Sequence, residues 1–389
     1  MIKVSLLSQI LQLIPRDNFN KLVSKHGTDK HSKGLNSWTH LVSMVFCHLS
    51  NSTSLREISA GLLSATGNLS HLGLSRSPCR SSLSYMNKHR DAKFFQELYY
   101  HLYDMLSPQM SLSSRNYARR IRRKIYIMDA TVIPLCLSLF DWAVFRQKKG
   151  AVKLHTVLDY DTCIPVFMNM TDGKTHEITI ARDTVFPSGS VLLMDKAYVD
   201  YAWLNVLDST GVFFVTRLKD NANIEEILSR ITNQKHTHIL ADQDIVLAGN
   251  KASEDYSKPL RIVTVQTEDM DKPMVFLTNQ MFWTADTISQ LYQARWQIES
   301  FFKDIKQHLK IKTFIGTSSN AVLIQVWTAL ISILLLRYLK TKAEHQWHLS
   351  NLVGFLRINL MVKIDLWYWV NHPFIKQANA PPNTQLKIF

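Results

Sequence analysis

The chain has 389 residues, of which 46% are hydrophobic, with only 12 Gly and 11 Pro. That length is enough for roughly two or three domains with hydrophobic cores, and the composition excludes the disordered, collagen-like and disulfide-scaffold classes. The 45 Lys and Arg residues outnumber the 31 Asp and Glu residues, which gives a net charge of +14. Such a basic chain favours a polyanionic partner, so nucleic acid is the first expectation and an anionic membrane the second.

The spacing of the cysteines and the length of the apolar runs indicate in which cellular compartment the protein works. The 4 cysteines are widely spaced and form no C-x-x-C pair, which is typical of a reducing compartment with buried thiols. The most apolar run, residues 322–336, is interrupted by Gln325, Thr328 and Ser332 and is shorter than the roughly 20 residues that span a bilayer. We therefore expect a buried core helix there, and a cytoplasmic protein without a membrane partner.

The first hundred residues predict helices joined by short polar loops. Apolar stripes run through residues 6–13 and 38–46, and Ser54 with Glu57 fits a capping box that opens a further helix. We expect residues 1–110 to form an all-α N-terminal DNA-binding domain. Five basic residues fit either a helix-turn-helix-like DNA reader or the solvated face of a plain helical bundle: Arg76, Arg80, Lys88, His89 and Arg90.

A basic segment at residues 111–124 separates this region from a larger α/β region. Arginines and a lysine crowd its second half, and such a run fits either a solvated linker or a phosphate-binding stretch. We interpret it as a basic linker between two domains.

Residues 125–340 alternate between strand and helix patterns. Two apolar strands end in Asp129 and in Asp195, and residues 211–217 predict a third strand. Residues from about 221 to 275 predict a β-rich insertion, and a long helical block from Asp286 to about Leu339 follows. Residues 341–389 predict a C-terminal helical region that ends in a loose tail.

The helical block carries a line of polar residues. At 100° per residue, four of them fall within about 60° of one another: Tyr292, Arg295, Glu299 and Lys306. An amphipathic helix places polar residues opposite its core without any chemistry. The presence of Tyr, Arg, a carboxylate and Lys beside the apolar edge, together with the two strand-end acids, favours a site instead.

Three carboxylates brought together repel one another unless a cation lies among them. Hard divalent ions such as Mg²⁺ prefer oxygen ligands, and two of them about 4 Å apart can activate water and stabilise the leaving oxygen of a phosphodiester. Arg295 and Lys306 on the same face would hold phosphate oxygens. The residues alone therefore predict metal-assisted phosphoryl transfer on a polyanion.

With these motifs in place, the sequence resembles the DDE transposases of bacterial insertion sequences, in the group called insertion sequence family four. The spacing from Tyr292 to Lys306 matches the family signature Y-(2)-R-(3)-E-(6)-K at all four positions. The strand-end acids match the other two acidic motifs, in Ile127-Met128-Asp129-Ala130-Thr131 and Leu193-Met194-Asp195-Lys196-Ala197-Tyr198. The resemblance covers about residues 120–340, and the N-terminal hundred residues match only loosely.

The resemblance implies an α/β RNase H-like catalytic core in which Asp129, Asp195 and Glu299 are catalytic residues that bind two Mg²⁺ or Mn²⁺ ions. It implies cut-and-paste transposition of double-stranded DNA by hydrolysis and strand transfer at terminal inverted repeats, with joining to a target DNA. Family members cut the second strand through a DNA hairpin. Tyr292, Arg295 and Lys306 would contact phosphates of the DNA ends. A homodimer in the synaptic complex and a place at the nucleoid in the cytoplasm follow from the same resemblance.

Other residues carry weaker signals. Lys153 and His155 share one face of the strand that follows the basic loop 146–150, and they are candidate DNA contacts, although ordinary strand residues fit as well. Trp283, Trp296 and Trp327 could stack on an extruded base, but tryptophans at helical spacing are mostly core residues.

Two other classes compete with the transposase. A different RNase H-like nuclease or resolvase would share the metal site without joining strands, and the residues beside Glu299 argue against it. A catalytically inactive DNA-binding relative would need only the basic charge, and the intact set of three acids argues against that class.

Overall fold

A computed structural model describes residues 4–30, 32, 34–65, 68–110, 121–135, 140, 142, 144–146, 149–231, 238–268, 271–309, 311 and 314–374. Most of the predicted basic linker at 111–124 lies outside the described residues, as do residues 147 and 148 of the basic loop and the predicted C-terminal tail.

Among the residues described before the first strand, six segments are α-helical. They are α1 (Leu6–Leu11), α2 (Arg16–His26), α3 (Ser37–Ser50), α4 (Leu55–Ser64), α5 (Arg80–His89) and α6 (Ala92–Leu106). The predicted start of α4 is confirmed, because the Ser54 hydroxyl accepts from the amide of Glu57 and the Glu57 carboxylate accepts from the amide of Thr53. The region is helical as the apolar stripes predict.

The sheet that follows is mixed, so the chain is an α/β protein with a large sheet and packed helices. It contains β1 (Ile125–Leu135), β2 (Val144–Arg146), β3 (Lys149–Asp159), β4 (Ile164–Asp172), β5 (Val191–Met194), β6 (Phe213–Arg217), β7 (Ile224–Ser229), β8 (Ile239–Leu247), β9 (Leu260–Val265) and β10 (Met274–Thr278). The described segments between these strands include the α-helices α7 (Glu177–Arg182), α8 (Tyr201–Ser209) and α9 (Asn250–Asp255).

Strand order places the ends of three strands side by side. The order is β2-β3-β1-β5-β6-β10-β9-β8-β7, and β4 also pairs with β3. β1, β5 and β6 run parallel to one another, whereas β3 and β4 run antiparallel to their neighbours. The predicted β-rich segment forms β7 to β10, and β10 pairs with β6, so these strands extend the same sheet.

The predicted helical block at 286–339 is not one helix. It forms α10 (Ala285–Ala294), α11 (Trp296–His308) and α12 (Ser319–Lys342). α10 and α11 meet at Arg295, and α12 has a new N-cap in which the Ser318 hydroxyl accepts from the amide of Ala321. Two helices close the described chain: α13 (Leu349–Asn359) and α14 (Leu366–Asn371).

Helix α12 is the centre of the helical layer. By length and hydropathy it resembles a membrane-spanning segment, with a mean hydropathy of 1.9, but 83% of its apolar window is buried inside the protein. It packs against α3, α5, α6 and α13. The prediction of a buried core helix at residues 322–336 is therefore confirmed.

The N-terminal helices share one hydrophobic core with α12 and one face of the sheet. Asn320, in the first turn of α12, donates to the carbonyl oxygens of Asn87 and Arg90 at 3.0 and 2.7 Å and accepts from the amide of Ala92 at 3.3 Å. The Tyr99 hydroxyl on α6 donates to the Pro165 carbonyl on β4 at 2.6 Å. These contacts tie the first hundred residues to α12 and, through the buried Tyr99 hydroxyl, to the sheet.

The cysteines differ from the expectation of buried thiols. Cys47 and Cys163 are buried, but Cys79 is exposed at the N-cap of α5. Cys136 lies outside the described residues. The expectation was wrong for Cys79 because it lies beside exposed polar residues at the start of α5, where its sulfur is 3.2 Å from Ser81 Oγ and 3.0 Å from Ser82 Oγ.

Candidate active site

The two strand-end acids meet at one edge of the sheet. In the parallel pair of β1 and β5, Met128 lies opposite Met194, so Asp129 and Asp195 are the next residues on neighbouring strands. The carboxyl ends of parallel strands meet at the same edge, which is where open α/β sheets bind ligands. β5 ends at Met194, so Asp195 leaves the strand, whereas β1 continues past Asp129 in its pairing with β3.

Arg295 brings Glu299 to the same place. Its guanidinium donates to Asp129 Oδ2 at 3.3 Å and to Glu299 Oε1 at 2.7 Å. Asp129 lies on β1 and Glu299 in the first turn of α11, so one arginine joins the sheet to the helix. The three acids that the sequence singles out are thus gathered around one edge of the sheet.

A second arginine, Arg217, was missed by the sequence analysis. It ends β6, and its guanidinium donates to Asp195 Oδ1 at 3.0 Å. The signal was present in the sequence, because β6 was predicted as a third apolar strand that closes on a charged residue in the same way as β5. Parallel neighbours end at the same edge, so the side chain at the end of β6 had to lie near Asp195.

The electrostatics differ between the two strand-end acids. Burial above all, with a contribution from the charges of Asp195 and Glu299, raises the pKa of Asp129 to about 6, against the opposing effects of the Ala130 amide and Arg295. Burial also acts to raise the pKa of Asp195, but the hydrogen bonds from Arg217 and the Lys196 amide, together with the charges of Arg217 and Arg295, more than offset it, so this pKa lies below its usual value. Of the two strand-end acids, Asp129 is therefore the one whose charged form is disfavoured.

Lys306, near the C-terminal end of α11, forms hydrogen bonds to β1. Its ammonium group donates to Thr131 Oγ1 at 2.6 Å and to the Val132 carbonyl oxygen at 3.1 Å. Arg295 and Lys306 thus hold the two ends of α11 against the same strand, and the two cations flank Glu299 along the helix.

The side chain of Tyr292 is more deeply buried in the protein than expected for a residue that contacts a DNA phosphate. Its ring packs on Phe276 with centroids 4.5 Å apart, and the side chain is 4% exposed. Its hydroxyl is buried and has no hydrogen-bond partner among the described residues, and the Arg295 guanidinium lies 5.6 Å from the ring centroid. In this structure the buried ring of Tyr292 packs beside the Arg295 guanidinium.

The geometry gives no support to DNA contacts by Lys153 and His155. Both are buried; the Lys153 ammonium donates to Glu177 at 2.9 Å and to the Thr175 carbonyl at 2.8 Å. His155 Nε2 lies 2.9 Å from Thr171 Oγ1, and burial together with Lys153 lowers the pKa of His155 to about 4, so it is neutral near pH 7. The cation of Lys153 is used inside the protein, and His155 carries no charge to offer a phosphate.

The tryptophans are in different surroundings. Trp327 is buried on α12 against Tyr99, which makes it a core residue. Trp283 packs on Phe213, and Trp296 is 61% exposed at the start of α11. Stacking on a base is therefore excluded for Trp327 by burial.

The donor set fits a hard divalent cation. Three carboxylates from three elements offer oxygen ligands around one edge of the sheet, and the charges of Asp195 and Glu299 add to the effect of burial in raising the pKa of Asp129. As placed, no group of three acidic, His or Cys side chains converges on a metal position within the described part of the chain. Arg295 and Arg217 hold the carboxylates instead, so a cation would take over the role of these guanidiniums.

Comparisons with known proteins identify the family of this chain. A family model described as a transposase DDE domain matches residues 120–335, and a domain of unknown function, DUF4372, matches residues 3–75. The chain belongs to the DDE transposase family. It is a transposase of the insertion-sequence type, an enzyme that acts on DNA, and the family depends on divalent metal ions.

Two curated relatives and one solved structure are similar to this chain over most of its length. The protein y4zB of Sinorhizobium fredii, named as a transposase, is 33% identical over 67% of this chain and 71% of its own length. The protein named as a transposase for the insertion sequence element IS5377 of Geobacillus stearothermophilus is 26% identical over 66% and 69%. A piggyBac transposase synaptic complex with hairpin DNA aligns with a TM-score of 0.48 and 8% identity, covering 92% of this chain and 80% of that one.

Proposed function

We propose that this transposase moves an insertion sequence by cut-and-paste transposition, with hydrolysis and strand transfer at the terminal inverted repeats carried out at Asp129, Asp195 and Glu299. The observation that carries the proposal is the gathering of these three acids, from β1, from the end of β5 and from α11, around Arg295. The strand order β4-β3-β1-β5-β6, antiparallel on one side and parallel on the other, supports an RNase H-like core.

Asp129, Asp195 and Glu299 would hold two Mg²⁺ or Mn²⁺ ions. When bound, such ions supply an activated water and stabilise the leaving oxygen of a phosphodiester. Arg295 and Arg217 neutralise the carboxylates in this structure, and a cation in the cluster would free their guanidiniums to donate to phosphate oxygens. Arg295 and Lys306 then orient the DNA end beside Glu299, with Tyr292 as the buried support of Arg295.

The proposal includes the partners and the place of action. Two element ends must be brought together before joining, which supports a homodimer in the synaptic complex with double-stranded DNA as terminal repeats and as target. DNA as the partner supports a location at the bacterial nucleoid in the cytoplasm.

The proposal is tested with a supercoiled plasmid that carries the terminal repeats of the element, a target plasmid and Mg²⁺. We expect cleavage at the repeats and joining of the freed ends to the target. Cleavage without joining would assign the chain to the nuclease or resolvase class. Binding without cleavage would assign it to the inactive DNA-binding class.

Because the Arg295 guanidinium occupies carboxylate oxygens that a divalent cation would bind, its removal is expected to change the affinity for that cation. In Arg295→Ala the acids lose their guanidinium, so we expect Mn²⁺ to bind about ten- to hundredfold more tightly, because charge-assisted hydrogen bonds of about 1.5–3 kcal/mol no longer compete. Electron paramagnetic resonance of Mn²⁺ measures the free ion directly.

Arg337→Ala is the matched control, since Arg337 pairs with Asp304 outside the site at 3.2 Å. Its Mn²⁺ affinity should equal that of the wild type. An Arg295→Ala protein that binds Mn²⁺ no better than this control contradicts the role assigned to Arg295.

A further inference from the structure

A basic cleft lies between α4, α5 and the loop before α12, away from the three acids. Its volume is about 480 Å³. One wall comes from the N-terminal helices and the other from the loop that follows α11, the helix of Glu299. Its lining includes Ser54, Arg56, Arg80, Ser84, Gly316 and Thr317.

Two arginines line this cleft and have no counter-ion among the described residues. Arg56 and Arg80 are exposed, and neither forms a hydrogen bond or an ion pair within the part of the chain that the structure describes. The neighbouring acid, Glu57, is engaged with the amide and hydroxyl of Thr53 at the start of α4. Two guanidiniums with free donors in one cleft create a positive field that favours an anion with several oxygens.

The wall opposite the arginines is fixed before any ligand arrives. The Ile315 amide donates to Gln325 at 2.9 Å, and the Trp142 indole donates to the Thr317 carbonyl at 2.7 Å. A side chain at Gly316 would bring its Cβ within 2.6 Å of the Ala321 Cβ, so the loop packs closely on α12. A ligand of the cleft therefore meets a preformed surface and little ordering cost.

Helix α5 continues the positive surface beyond the cleft. It contains no acidic residue, and its exposed face presents Ser81, Ser84, Tyr85 and Lys88. The Tyr85 and His89 rings lie 4.4 Å apart on this face. Arg90, which the sequence had grouped with these residues, points inward, where it is 4% exposed and donates to Asp29 and to the Leu35 carbonyl.

We propose that the cleft of Arg56 and Arg80, together with the exposed face of α5, binds backbone phosphates of duplex DNA. This inference rests on the proposed function, because it takes DNA as the ligand and extends the contact beyond the catalytic site. Hydroxyl groups and arginines are the donors that proteins aim at phosphate oxygens, and such contacts set the register of a protein on the duplex. The loop that lines the cleft follows α11 directly, so the DNA bound here is held by the same elements that hold Glu299.

The test is DNA binding by the full chain, measured by fluorescence anisotropy on a duplex with the terminal repeat over a series of NaCl concentrations. In the double variant Arg56→Ala with Arg80→Ala, the slope of log K against log salt should fall by about two units, and affinity should drop about tenfold. Lys251→Ala with Lys363→Ala removes the same charge from two exposed residues elsewhere and should match the wild type.

A second pair leaves the arginines in place. Ser84→Glu puts a negative charge at the cleft wall and should weaken binding, whereas Ser257→Glu, exposed beyond the cleft, should not. If both cleft variants bind like their controls while the wild type cuts the repeat DNA with Mg²⁺, the cleft inference is overturned and the proposed function stands. If the wild type neither binds nor cuts that DNA, both are overturned.

Discussion

Glu299→Gln is expected to abolish DNA cleavage, with a loss of at least about 10³-fold, while DNA binding persists. The amide keeps the shape of the side chain but removes the negative charge that a divalent cation needs. Catalysis by metal ions supplies several kcal/mol of transition-state stabilisation, and about 1.4 kcal/mol corresponds to each factor of ten. The measurement is the rate of nicking of a plasmid with the terminal repeats in Mg²⁺, beside an anisotropy titration of the same DNA.

Asp304→Asn is the matched control, because Asp304 lies on the same helix α11 and pairs with Arg337 away from the site. Its cleavage rate should stay within a few-fold of the wild type. Equal losses in the two variants would mean that the acids of α11 act through the stability of the helix, and the assignment of Glu299 to the metal cluster would fail.

Asp242→Asn is expected to lower the free energy of unfolding by about 3–5 kcal/mol, because it leaves the buried charge of Arg261 uncompensated. Arg261 is 2% exposed and donates to both carboxylate oxygens of Asp242 at 2.7 Å. It also donates to the carbonyls of Gln280 and Trp283, so the pair anchors the turn before α10. Denaturant titration followed by tryptophan fluorescence measures the change.

Asp244→Asn serves as the comparison, since Asp244 pairs with Arg230 two residues along β8 at a more exposed position. We expect a loss of about 1 kcal/mol or less there. The double replacement Asp242→Leu with Arg261→Met should recover most of the stability, because apolar residues of similar volume can replace a buried pair. Failure of the double replacement to recover stability would show that the hydrogen bonds of Arg261 to the turn matter more than its charge.

The sequence predicted the acids of the site because their positions follow from local rules. A parallel strand that ends in an acid places that acid at a known edge of the sheet, and Asp195 directly follows β5 as predicted. The predicted strand end at Asp129 was wrong, because β1 continues to Leu135 in its pairing with β3, but the parallel pairing with β5 does stop at Met128 and so leaves Asp129 at the same edge. The helical spacing from Arg295 to Glu299 placed both on one face, although the break at Arg295 changes the angle between α10 and α11. The partner of Arg295 on β1 is 166 residues away and followed from no local pattern.

Other features could not be predicted because they depend on distant packing. The pairing of β6 with β10 joins the β-rich segment to the main sheet across more than fifty residues of chain. Lys153 looks like a surface cation in the strand pattern, and only the position of Glu177 after β4 shows that its charge is used inside. Tyr292 falls on the polar side of the predicted helix, yet Phe276 from β10 covers its ring.

The side chain of Asn320 links the N-terminal helices to the helical layer that packs on the sheet. It joins the end of α5 and the start of α6 to α12, and the Tyr99 hydroxyl joins α6 to β4 in the sheet. These bonds connect α5, through α6 and α12, to the sheet that carries Asp129. Under the proposal that α5 binds duplex DNA, the fold sets the distance along the DNA from that contact to the cut, so the length of the end sequence is expected to matter as much as its identity.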